Sequence, residues 1–119
     1  MHKALVLIIA IFGTAASAQA ADPCTLQRGK ASWYQGSQRI ATGGRFDPDG
    51  LTAAHRTLPF GTLVRVTNVN SKRSTVVRIN DRGPYGKGRI IDVSKAAARE
   101  LQMISSGTAT VTLEVMAKL

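Results

Sequence analysis

Along most of the chain apolar and polar residues alternate with a period of two. In Leu63-Val64-Arg65-Val66-Thr67-Asn68, Val64 and Val66 share one face, and Arg65 and Thr67 the other. Near the end, Ala109, Val111, Leu113 and Val115 alternate with Thr110, Thr112 and Glu114. Both patterns predict half-buried strands, since successive side chains of a strand point to opposite faces. Residues 74–80 and 89–93 are rich in β-branched residues, and 30–34 reads as a first strand. Asn70-Ser71-Lys72-Arg73 forms a polar hairpin turn between two of these runs. The period changes to helical once. Ser94 is a good N-cap ahead of the helix formers from Lys95 to Leu101, with Ala97, Leu101 and Ile104 as a small apolar face. Gly107 closes that connection. Many short strands and one short helix predict an all-β closed barrel or sandwich. Pattern alone does not choose between them.

The first twenty residues follow a different rule. His2 and Lys3 precede an apolar run from Ala4 to Phe12, and small residues end in Ala18-Gln19-Ala20. This is the layout of a secretory signal peptide, with cleavage expected after Ala20. The apolar run is too short to span a bilayer core, which takes about 20 helical residues. The expected organisation is a leader over 1–20, a tail over 21–28 and one domain over 29–117. The expected product is exported to the periplasm or envelope, without a stable membrane anchor.

Charge and cysteine usage narrow the partners. Sixteen Lys and Arg against seven Asp and Glu give +9. Removing Lys3 with the leader leaves 15 − 7 = +8. A basic exported domain meets anionic envelope polymers, so nucleic acid is not an expected partner. Cys24 is the single cysteine, which excludes an internal disulfide. Ala21-Asp22-Pro23 before it fits lipoprotein processing poorly.

Two segments carry candidate chemistry: residues 51–62, Leu-Thr-Ala-Ala-His-Arg-Thr-Leu-Pro-Phe-Gly-Thr, and Asn80-Asp81-Arg82-Gly83-Pro84-Tyr85. Asp81 stands at a strand end before a tight turn, as a candidate general acid on a glycosidic oxygen. The plainer reading is a carboxyl that pairs with Arg82 or holds the turn. His55 is the one histidine outside the leader, so it is either a hydrogen-bonding residue of the site or an ordinary structural histidine. One imidazole with no Cys or Glu-x-x-His spacing makes no zinc site, and neither a metal nor a cofactor is expected. Trp33 and Tyr34 are adjacent in a strand, so at most one of them faces a groove. There is no Gly-x-Ser-x-Gly nucleophile motif and no phosphate-binding loop.

Taken in order, Ala31-Ser32-Trp33-Tyr34, Phe46-Asp47, residues 51–62, Val64 to Asn68, Val77 to Pro84 and Gly88 to Ser94 resemble the rare lipoprotein A (RlpA) family. Ala96-Ala97-Ala98, Leu101 and Val111 to Val115 complete the match, which covers nearly all of Gly29 to Met116. The resemblance implies a six-stranded double-psi β-barrel with one short helix and a groove lined by strand-end loops. It implies a lytic transglycosylase that cleaves the β-1,4 bond between N-acetylmuramic acid and N-acetylglucosamine in peptidoglycan. The muramic 6-hydroxyl attacks in place of water and leaves a 1,6-anhydro end. By motif, Asp81 is similar to the acid/base and His55 to a second groove residue. Arg82, Arg56 and Arg45 would contact substrate carboxylates, with Tyr85 beside them. Some members also reach peptide-stripped strands through a C-terminal SPOR domain, a module not expected here. One position departs from the pattern. Active members usually carry Glu where this chain has Gly44. Loss of one preorganised electrostatic group is worth about 2–4 kcal/mol of barrier. A non-catalytic glycan-binding barrel similar to expansins is therefore the alternative.

Overall fold

The structure is a computed structural model and describes residues 26–34 and 49–117. The expected leader, Cys24, Gly44 and Arg45 lie outside the described residues. Six strands and a helix follow in order: β1 (Leu26–Tyr34), β2 (Thr52–Ala54), β3 (Leu63–Asn68), β4 (Ser74–Asp81), β5 (Arg89–Ser94), α1 (Lys95–Glu100) and β6 (Thr108–Ala117). They close into a barrel in the order β1-β5-β2-β4-β3-β6. The closed barrel, rather than the sandwich, is the architecture. Closure leaves no free sheet edge along the ring.

The period of two accounts for the core. Val64 and Val66 of β3, Val77 and Ile79 of β4, Ile91 and Val93 of β5, and Val111 and Leu113 of β6 all point inwards and are buried. The intervening Arg65, Val76, Arg78 and Thr112 look outwards. The hairpin between β3 and β4 falls at the expected polar residues. Asn68 accepts from the amides of Asn70 and Ser71 with its side-chain oxygen, at 2.9 and 3.3 Å, and donates to Leu101 O at 2.8 Å. Lys72 then takes a left-handed φ of 67° to turn the chain back.

Three expectations shift. β1 begins at Leu26, ahead of the strand expected at Lys30, because Leu26 to Gly29 pair with β6 from Glu114 to Val111. A three-residue strand, β2, stands where a loop or strand end was expected. The helix ends at Glu100, with Leu101 as its C-cap, and Ala98 and Met103 join Ala97 and Leu101 in the core.

A helix of six residues has no stability of its own in water. It is held by this packing and by its cap. Ser94 Oγ accepts from Ala97 N at 3.3 Å and donates to Gly50 O at 2.6 Å. It thereby ties the helix start to the entry of β2. Ser94→Ala should cost about 1–2 kcal/mol, read as a lowered urea midpoint with unchanged slope.

Candidate active site

Strand pairing assembles the site. Parallel pairing of β2 with β4 sets Ala54 opposite Asp81, and antiparallel pairing of β2 with β5 sets Ala54 opposite Asp92. β1 runs parallel to β5 and sets Ser32 opposite Asp92. Four neighbouring strands therefore contribute one row, Ser32, Asp92, Ala54 and Asp81. Two strand spacings put the Asp81 and Asp92 backbones about 10 Å apart, with only a methyl group between them.

Asp92 lies on the outer face, alternating with the buried Ile91 and Val93. Ser32 Oγ donates to Asp92 Oδ1 at 2.8 Å. Burial pushes the Asp92 carboxyl above its ordinary range; the Ser32 bond and the Arg89 guanidinium oppose this, and the charge of Asp81 adds to it. Tyr34, two residues after Ser32, shares that face. Its phenol is raised chiefly by burial, then by the fields of Asp81 and Asp92. Trp33 packs against the core instead, as the alternation of adjacent strand residues requires.

Two loops flank the row and hold each other. Arg56, just after β2, donates from Nε to Pro84 O at 2.6 Å and from Nη2 to Gly86 O and Arg89 O at 3.1 and 3.0 Å. In return Arg82, just after β4, donates from Nη1 to His55 O and Leu58 O at 3.1 and 2.8 Å. Its guanidinium carbon also lies 4.0 Å from the centre of the Phe60 ring, a cation–π contact. The substrate carboxylates expected to engage these arginines thus meet groups that already clasp the loop backbones. Asp81 Oδ1 accepts from Arg82 N at 2.8 Å, so the carboxyl shapes its own turn. Gly83 follows with φ 116°, a conformation that other residues rarely adopt. Tyr85 is 76% exposed on the same loop.

His55 is 6% exposed. Its Nδ1 accepts from the amides of Thr57 and Leu58, both at 3.2 Å, and its Nε2 lies 3.2 Å from Gln27 Oε1. Two donors on Nδ1 require the neutral ring with its proton on Nε2, donated to Gln27. The link from His55 to Asp81 is a main-chain bond, His55 N to Asp81 O at 3.1 Å. The histidine therefore organises the loop after β2 and reaches Asp81 through the backbone.

Burial, then the positive charges of Arg82 and Arg56, hold the His55 ring below its usual 6.5. The unfolded chain then binds the proton more readily than the folded one. The stability contributed by His55 is present above pH 6.5 and is lost as pH falls through the folded value. The wild-type unfolding free energy should decline on acidification below pH 6.5 more steeply than that of His55→Asn, measured by urea titration at each pH. The opposite slope from Asp92, whose stability contribution fades as pH rises above 3.8, is common to both proteins and cancels in the difference.

Reasoning from sequence singled out Asp81 and His55 but passed over Asp92, Ser32 and Arg89 as site residues. One signal was available, since an aspartate inside an otherwise β-branched strand is disfavoured unless something holds it.

A family model described as "Lytic transglycolase" matches residues 26–113. The chain belongs to the lytic transglycolase family. Among curated relatives, the probable endolytic peptidoglycan transglycosylase RlpA of Nostoc sp. is 63% identical over 78 residues, which are 66% of this chain and 21% of that protein. The endolytic peptidoglycan transglycosylase RlpA of Neisseria meningitidis is 50% identical over 91 residues, covering 74% and 38%. A probable RlpA of Treponema pallidum is 45% identical over 116 residues, covering 95% and 36%. The chain thus spans well under half the length of these relatives. Among solved structures, the Streptomyces papain inhibitor superposes with a TM-score of 0.65 at 22% identity, covering 80% of this chain and 98% of that one. Clavibacter michiganensis expansin superposes at 0.63 and 19% identity, covering 80% and 52%. Both likenesses concern the double-psi fold alone.

Proposed function

We propose that this lytic transglycolase-family barrel cleaves the β-1,4 MurNAc–GlcNAc bond of peptidoglycan strands and leaves 1,6-anhydromuramyl ends. The observation that carries the reading is the row that sets Asp81 and Asp92 on one face beside two mutually clasped loops. Asp81 acts as acid and then base. Its proton passes to the glycosidic oxygen as the bond from the anomeric carbon breaks. The muramic 6-hydroxyl then bonds to that carbon and returns its proton to Asp81, so no water is consumed. One carboxyl serves both steps, and the two-carboxylate spacing of hydrolytic glycosidases does not apply. Asp92, fixed by Ser32, supplies negative field for the developing oxocarbenium charge. His55 and Arg82 hold the loop that positions Asp81, and exposed Tyr85, with Arg45 on the chain before β2, is placed in the substrate-contacting set.

The work is done in the cell envelope, to which the leader over 1–20 would deliver a basic protein suited to an anionic polymer. No helix among the described residues is long and apolar enough to cross a membrane. The test is incubation with peptide-stripped peptidoglycan and mass spectrometry of the soluble products. Anhydromuramyl fragments are expected. Sacculi that retain the protein while releasing no such fragments would overturn the enzyme reading and leave a glycan-binding barrel.

A further inference from the structure

A cavity of about 430 Å³ opens on the outer wall of β2 and β4, next to the carboxyl row. Thr52, Phe60, Gly61, Arg78, Ile79 and Asn80 line it. Its size falls within the range of small-molecule sites. Two side chains of the lining, Arg78 and Phe60, are suited to a ligand. Arg78 projects from the outward face of β4, opposite Thr52, with no side-chain hydrogen bond or ion pair among the described residues. Phe60, 39% exposed, is held in place on one side by Arg82. The main-chain bonds Gly61 N to Ile79 O, 2.8 Å, and Ile79 N to Thr62 O, 2.9 Å, fix its loop against β4.

The two features call for different parts of one ligand. An aromatic face takes the C–H side of a pyranose ring, and a guanidinium takes a carboxylate. We infer that this cavity is a subsite for a sugar bearing a carboxylate, with Arg78 on the acid and Phe60 under the ring. The inference rests on the peptidoglycan reading and extends it. In such a strand the muramic unit answers that description, and the neighbouring Asp81 would meet the bond at its end.

The test is calorimetric titration of the protein with two tetrasaccharides, chitotetraose and a peptide-free GlcNAc–MurNAc tetramer. Asp81→Asn is used throughout to prevent turnover. The muramyl ligand should bind about tenfold or more tightly than chitotetraose, as expected for one charge-assisted contact. Adding Arg78→Gln should remove that preference while leaving chitotetraose affinity within about twofold. Adding Phe60→Ala should weaken both ligands. An unchanged preference in Arg78→Gln would overturn the subsite, even if anhydro products are made. Conversely, a preference that depends on Arg78 in a protein that makes no product would support the subsite and sink only the catalytic reading. Arg78 is exposed, so its replacement leaves the core intact.

Discussion

Asp81→Asn should slow the release of anhydromuramyl products by about 10²–10⁴-fold, the usual worth of one positioned proton donor. Asparagine keeps the shape of the side chain and the oxygen that accepts from Arg82 N, so the turn after β4 stays formed. It also removes a negative charge whose field disfavours ionisation of Asp92 and Tyr34. The variant should therefore remain folded, with a urea midpoint at or above the wild-type value, and should still sediment with sacculi. A fall of less than tenfold would transfer the acid role to Asp92. That alternative has a direct check, because Asp92→Asn would then show the larger loss.

Ile79→Ala should lower stability by about 2–5 kcal/mol, the range for removing a buried aliphatic side chain without full collapse of the cavity. Ile79 is fully buried in β4, two residues before Asp81, with both its main-chain groups bonded to the 61–62 loop. A small domain has about 5–15 kcal/mol to lose, so this is a large share. The strand that carries Asp81 loosens with it, and activity should fall together with the midpoint. Val76→Ala, three residues earlier and on the outward face of the same strand, should stay within about 0.5 kcal/mol. Equal losses at the two positions would show that β4 is not packed through Ile79.

Several of these elements were legible in the residues because their causes are local. Val64 and Val66, or Val111 and Leu113, announce a strand by alternation, and Ser94 announces a helix by its cap. Asn68 to Arg73 announce a hairpin by turn chemistry. β2 escaped notice because three residues carry no period. The early start of β1 escaped because Leu26 to Gly29 are a strand only by virtue of β6, at the other end of the chain. Asp81 could be picked out by its place before Arg82-Gly83-Pro84. Asp92 could not be joined to it, because the two carboxyls meet only through Ala54, with which both are paired.

The arginines show the same division. Three basic residues beside a candidate carboxyl read as ligands for an acidic substrate. The tertiary structure turns Arg56 and Arg82 onto carbonyls of the opposite loop and leaves Arg78, on the strand wall, without such a bond among the described residues. Likewise Trp33 and Tyr34 were known to face opposite ways, but only barrel closure decided that Tyr34 joins the carboxyls. By itself, then, the sequence determined the strand-rich class, the capped helix, the hairpin and the family. Those rest on short-range geometry and on motif spacing. Strand order, register and the partners of each charged group were decided by closure of the barrel, since pairing energies between distant segments have no local signature along the chain.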